Sequence, residues 1–285
     1  HGGPHVEYTG CWSGILIVGG AILVALAVVA SVRGLFTAEA LRQGHDATGN
    51  LLAIVGTLYA VLLGLIVVDA MARFERAMDL VQMESNSLAA IYLLAARLPE
   101  PHHSRVQDRC RAYAEQVVTL EWPSMERARM NVEARRTALA LAQSLHTFEP
   151  ASEAEKAVYP AMLEKISELW EQRRDRAGMA SYGIPTVEWV ALILGAIVTV
   201  FFAGLFSVGN VRLQMVITSL TALVIGLNLY LVSLFGYPFT GELSVSSRPF
   251  QLDIDVFRGV YDDRPTHEGE EHAGHATSTA SPAAP

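Results

Sequence analysis

The stretch Ala47–Leu98, ATGNLLAIVGTLYAVLLGLIVVDAMARFERAMDLVQMESNSLAAIYLLAARL, decides how the rest of the chain is read. From Ala47 to Val68 it carries no Asp, Glu, Lys or Arg. That is long enough to cross a bilayer, which takes about 20 mostly apolar residues per helix. Asp69 ends the charge-free run, yet no glycine or proline occurs between it and Leu98. Phe74, Met78, Val81, Leu88, Ile91, Ala95 and Leu98 continue at three- and four-residue steps. The pattern predicts one helix from about Asn50 to Leu98. At 1.5 Å per residue it measures roughly 70 Å, more than twice the hydrocarbon thickness. Part of it must therefore stand in water. Pro99 and Pro101 end it.

Three further stretches lack charged residues: 8–32, 189–211 and 213–241. Their apolar cores run from Ile15 to Val32, Val190 to about Val208, and Leu213 to Phe235. The reading is an all-α integral membrane protein with four transmembrane helices. A cytoplasmic helical domain is inserted between the second and third spans. The boundaries expected are an N-terminal segment 1–12, spans one and two in 13–71, and the helical domain in 72–186. Spans three and four occupy 187–236, a membrane-exit segment with a short amphipathic helix 237–260, and an acidic disordered tail 261–285. A cleaved signal peptide is the rival reading of the first span. The lack of a basic segment before it, and Arg33 just after it, favour a retained span.

The figures of 51% hydrophobic and 18% charged over 285 residues thus average two unlike parts. They exclude a single soluble globule, a disordered chain and a secreted disulfide scaffold. Cys11 and Cys110 are the only cysteines, and neither has a Cys or His at metal-ligand spacing. Arg73, Arg76, Arg173, Arg174, Arg176 and Arg248 flank the spans on the side of the helical domain, against Arg33, Arg42 and Arg212 opposite. The positive-inside rule puts the first group, with both termini, in the cytoplasm. The bias to arginine, with only Lys156 and Lys165 as lysines, and the abundant alanine suggest a bacterial source and so a bacterial inner membrane. The net charge of −8 comes mostly from the tail, and the helical domain is nearly balanced. No basic stripe for nucleic acid is present.

Within 72–186 the seam Val106, Cys110, Tyr113, Val117, Leu120 marks a second helix, broken or kinked at Glu121-Trp122-Pro123. Met125, Val132, Leu139 and Leu145 suggest a third. Ser152-Glu153-Ala154-Glu155 is a capping box opening a fourth, through Val158, Met162, Ile166 and Leu169. Its late turns hold Arg173, Arg174 and Arg176. They read as membrane-surface charge paired with Glu171 and Asp175, or alternatively as an anion or lipid-headgroup site. After the fourth span, Ser247-Arg248-Pro249 resembles a helix start, with Phe250, Ile254 and Phe257 on one face. An alternating strand through Leu252, Ile254 and Val256 is the lesser alternative. His267, His272 and His275 in the tail are weak metal candidates at most.

Within the membrane, Gly56, Ala60 and Gly64 form a small-residue ridge suited to close helix approach. The bulkier face holds Leu58, Leu62, Leu65 and Ile66, which in a pore would form a dewetting constriction. Asn50, Asn228, Thr57, Tyr59 and Thr218 are the main polar groups. Asp69 sits at the span's end, where it would ring a pore mouth or simply be solvated. No ionisable group stands at mid-depth and no span contains His, which disfavours proton pumping and haem ligation. No cofactor, metal site or catalytic residue is expected, and the chain is not read as an enzyme.

Four patches together resemble the bacterial bestrophin-like family of four-span membrane proteins. They are Gly49-Asn50 with Gly56-Thr57-Leu58-Tyr59-Ala60-Val61-Leu62-Leu63-Gly64, Glu84 before Leu88, Tyr113 through Glu121-Trp122-Pro123, and Tyr237-Pro238-Phe239-Thr240-Gly241-Glu242 with Pro249-Phe250. The resemblance covers about residues 49–257. It implies a distant likeness to bestrophins, pentameric anion channels with four spans and a helical cytoplasmic domain. The second span would then line a central pore. Tyr59 is the only aromatic within that span, so the aromatic neck of bestrophins is not evident. The partners expected are the lipid bilayer and other membrane subunits, either identical copies or an unlike complex. The first arrangement makes the chain an ion channel or pore subunit. The alternative is a non-catalytic accessory or assembly subunit.

Overall fold

The computed structural model describes residues 11–37, 39, 41, 44–127, 129, 131–206, 210–241 and 243–259. Every regular element described is helical. The elements are α1 (Cys11–Leu35), α2 (His45–Ala95), α3 (His102–Gln116), a π-helical turn (Val117–Glu121), α4 (Trp122–Met125), α5 (Val132–His146), α6 (Glu153–Ser181), α7 (Thr186–Leu205), α8 (Val211–Phe235) and α9 (Arg248–Phe257). Four helices are long and apolar enough to cross a membrane. They correspond to the four charge-free stretches. Residues 1–10 and 260–285, with the tail histidines, lie outside the described residues, as do Arg42 and Glu242.

Helix α2 is unbroken over 51 residues, about 77 Å at the helical rise. It begins a turn earlier than the apolar pattern suggested. One stripe of it faces the rest of the chain throughout its length. Tyr59, Leu63, Ile66 and Ala70 pack among α1, α7 and α8. Phe74, Ala77, Val81, Leu88, Ile91 and Ala95 continue the stripe into the soluble core. Ile66 therefore belongs to this inner face, not to the outer face with Leu58 and Leu65.

The membrane helices pack with α1 against α8 and α2 against α7. Gln214, buried near the start of α8, ties one end of the bundle. Its Oε1 accepts from Arg33 Nε at 3.0 Å, and its Nε2 donates to the Gly204 carbonyl at 2.7 Å. Asn50 and Asn228 are among the polar groups the sequence points to, and Gln214 is not. Asn50 is exposed and Asn228 half-buried, and Asn228 merely donates to the Val224 carbonyl of its own helix.

Three details of the soluble half differ from expectation. The Glu-Trp-Pro segment does not break the helix. One π-turn admits an extra residue, and Pro123 then falls in the first turn of α4, where a missing N–H costs nothing. Met125 belongs to α4, and α5 starts at Val132 under the Asn131 cap. Its buried positions are Ala134, Ala138, Leu141, Ser144 and Leu145, while Val132 and Leu139 are exposed. The Ser152/Glu155 capping box forms at the start of α6. Leu252 and Val256 are exposed while Phe250 and Phe257 are buried, so the last element is a helix and not a strand.

Candidate functional site

Buried charge marks where α2 is held. Glu84 falls between Val81 and Leu88 on the inner stripe and is fully buried. Arg173 and Arg176 follow Leu169 at four- and three-residue steps on α6 and are also buried. Glu121 is the last residue of the π-turn and points into the same core. Arg176 Nε donates to Glu84 Oε2 at 2.6 Å, and its Nη2 donates to Glu84 Oε1 at 3.0 Å and Glu121 Oε2 at 2.9 Å. Arg173 pairs with the other Glu121 oxygen. The Tyr113 hydroxyl donates to Glu84. Burial, reinforced by Glu84, pushes that hydroxyl well above the usual phenol range, so it stays a donor. Burial alone would lower Arg176, but Glu84 and Glu121 outweigh it and keep the guanidinium charged.

Aromatic rings wall this four-charge cluster. Arg176 Cζ lies 5.3 Å from the Trp122 ring centre and 6.0 Å from Phe250. Trp122 meets Phe239 and Phe250 edge-on, and its Nε1 donates to the Val245 carbonyl at 3.0 Å. Pro238 is buried and its carbonyl accepts from Val245 N–H at 2.8 Å, closing the loop. Gly241 turns that loop at φ 88°, a left-handed conformation that glycine adopts without strain. Pro249 sits in the first turn of α9 and delivers Phe250. The patches quoted separately from sequence, Glu84, Tyr113, Glu121-Trp122-Pro123, Pro238-Phe239, Gly241 and Pro249-Phe250, thus meet in one place. Arg173 and Arg176 were not expected there. Their pairing with Glu121 and Glu84 replaces the surface pairing with Glu171 and Asp175. The signal in sequence was charge occupying core positions of the helical repeat.

The other side of α2 is exposed, although Asp69, Ala72 and Arg76 border a hollow shared with α6. At 100° per residue, Leu51, Ile54, Leu58, Leu62, Leu65, Asp69, Ala72, Arg76, Asp79 and Met83 share one face, and all are exposed. The stripe is wholly apolar from Leu51 to Leu65 and carries charge at Asp69, Arg76 and Asp79 beyond it. Asp69 is paired with Arg73 at 3.7 Å.

Gly56, Ala60 and Gly64 lie on a third face. A Cβ placed on Gly56 or Gly64 would meet nothing within 4 Å, so this ridge is not spent on packing within the protomer. Gly56 and Ala60 border a hollow of about 830 Å³ between α2, α7 and α8. The Tyr59, Thr199 and Thr218 hydroxyls line it, buried and without a hydrogen-bond partner. Tyr59 reaches this position across Gly195, where a Cβ would stand 2.3 Å from the ring. The first quoted patch therefore does not join the buried cluster. It forms the free flank of α2.

Among the described residues no group of His, Cys, Asp or Glu could hold a metal ion. Cys110 is buried, and burial raises its thiol well above the usual range, which leaves it unreactive. The bestrophin-like domain model matches residues 19–250. The chain belongs to the bestrophin-like family. Among solved structures, it is similar to a bacterial bestrophin homologue from Klebsiella pneumoniae, at a TM-score of 0.63 and 14% identity. That match covers 87% of this chain and 99% of the homologue. A single-residue variant of the same homologue matches at 0.61 and 14%, covering 88% of this chain and 99% of that one. At this identity the likeness speaks for the fold alone. No curated protein matches. The bestrophin-like fold accounts for the inserted helical domain and for the convergence of the motif residues behind α2.

Proposed function

We propose that identical copies of this bestrophin-like chain close into a ring, with the bare stripe of α2 lining an ion pore. The observation that carries this reading is the stripe's continuity. Lipid could cover Leu51 to Leu65, and water could cover Asp69 to Met83. An axis that is dewetted in the membrane and wet below it matches both on one helix. The Gly56/Ala60/Gly64 ridge, adjoining the hollow with its unpartnered hydroxyls, is the flank that a neighbouring copy would cover. Leu58, Leu62 and Leu65 would form the narrow part. The arginine distribution supports a cytoplasmic soluble half, and a bacterial inner membrane is the setting we propose. No catalytic step enters this reading.

The Asp69–Arg73 pair bears on selectivity. Asp69 alone would repel anions from the mouth, but its pairing offsets that field. The test is ion flux through purified protein in liposomes, with the copy number measured on the same sample. Wild type should be a homo-oligomer of low conductance, and Leu62→Thr should raise flux by wetting the constriction. Isolation as a single copy among unlike subunits, with no flux from either form, would sink the pore reading in favour of an accessory subunit.

A further inference from the structure

Arg174 and Arg135 have no hydrogen-bond or ion-pair partner among the described residues, and they stand at one hollow. This hollow, of about 360 Å³, lies between the start of α5 and the late turns of α6. Asn131, Arg135, Trp170, Arg173 and Arg174 line it, and no carboxylate does. Arg173 adds a third guanidinium. Its Nη2 is held by Glu121, but its Nε is buried without a partner. Asn131 caps α5, so the positive end of that helix faces the same space. The nearby acids are turned elsewhere. Glu133 pairs with Arg136 at 2.5 Å. Asp175 lines a hollow beside Asp69 and Arg73, and Glu171 another with His146, and Arg174 borders both of these without forming an ion pair with either acid.

Two guanidiniums without an ion-pair partner, beside a third that is neutralised by Glu121 but keeps a free Nε, make a receptor for an oxyanion. The planar fork of each matches two phosphate or carboxylate oxygens. The volume suits a phosphate or a small phosphomonoester, and Trp170 supplies an apolar wall. Arg173 is already fixed by Glu121, so little side-chain entropy remains to be lost there on binding. We propose that this hollow binds a small oxyanion of the phosphate class. Two sources share that chemistry. Free phosphate groups could enter from water, and phospholipid headgroups could enter from the membrane. Arg174 lies only two turns before α6 ends at Ser181, close to where the third span begins.

The test uses the full chain in nanodiscs, with inorganic phosphate titrated at fixed ionic strength against chloride. In phosphatidylcholine discs, wild type should bind phosphate, read by calorimetry and by a rise in melting temperature. Arg135→Gln and Arg174→Gln should each weaken that binding about tenfold. Both side chains are exposed and unpaired, so the unliganded melting temperature should not move. If phosphate has no effect but phosphatidylglycerol discs stabilise wild type more than both variants, the oxyanion is a lipid headgroup and the site stands. Equal responses of wild type and both variants to phosphate and to anionic lipid would overturn it. These outcomes do not depend on oligomeric state or flux.

Discussion

Helix α2 passes through two environments and is treated oppositely in each. Below Ala70 its inner stripe is enclosed by α3, α6 and α9 and anchored through Glu84 by charges that water never reaches. Above Ala70 only one side is packed, and two flanks remain uncovered. The lower half looks like the interior of a finished domain. The upper half looks like part of an assembly. If the proposed ring forms, fold stability and assembly sit on different segments of the same helix, so substitutions should separate them.

The largest effect expected is on the anchored half. Glu84→Ala leaves Arg176 buried with one carboxylate fewer, at a cost of about 3–5 kcal/mol. It should appear as a large drop in the melting temperature of the detergent-solubilised protein. Replacing both partners, Glu84→Leu with Arg176→Met, should cost clearly less, because no buried charge is stranded. If the double variant is the worse of the two, the pair stabilises more than its desolvation suggests. Next comes Gly195→Ala, which drives a methyl into the Tyr59 ring and should cost about 1–3 kcal/mol by overpacking. By contrast, Gly64→Leu meets open space within the protomer. Its melting temperature should stay near wild type while copy number falls on size-exclusion with light scattering. A Gly64→Leu protein that melts early with its assembly intact would break the comparison.

The smallest effect concerns α9. Asp253 is half-buried beside Ser85, whose hydroxyl donates to it at 2.6 Å, and burial raises its pKa from 3.8 to about 6. The folded protein therefore holds this proton more tightly than the unfolded chain. The resulting stability is fully present below about pH 4 and is lost as pH rises through about 6. Asp253→Asn should remove that dependence. Between pH 4.5 and 7 the wild-type melting temperature should fall relative to the variant, by about 2 °C. Parallel curves would show that Asp253 is not desolvated.

Much of this architecture was legible in sequence because hydrophobicity reports it directly. The four spans follow from charge-free length, and the continuity of α2 follows from the absence of Gly and Pro between Asp69 and Leu98. The capping box at Ser152 and the face of α9 were equally plain, since each is a local pattern. What sequence hid was pairing between distant residues. Nothing near Glu84 in the chain says that its counter-ion lies on α6, and Arg174 looks the same as Arg173 and Arg176 until burial separates them. Expecting Val132 and Leu139 in the core failed for a related reason. Alanines at 134 and 138 face the core because the space there is narrow, and apolar pattern alone does not measure space. The first motif patch was visible, but that its Gly56 and Gly64 positions meet open space was not.

The unbroken course of α2 also has a mechanical side. Leu62 and Glu84 are 22 positions apart on one rod, about 33 Å along its axis. With no proline or glycine between Asp69 and Ala95 to absorb a bend, rotation at the lower end becomes translation at the upper end. A tilt of about 4° pivoting at Glu84 would carry Leu62 sideways by about 2 Å. Around a ring that displacement would count twice across the opening. In the proposed ring, a tilt this small about the ionic anchor would move the leucines far enough to change whether the passage between them holds water.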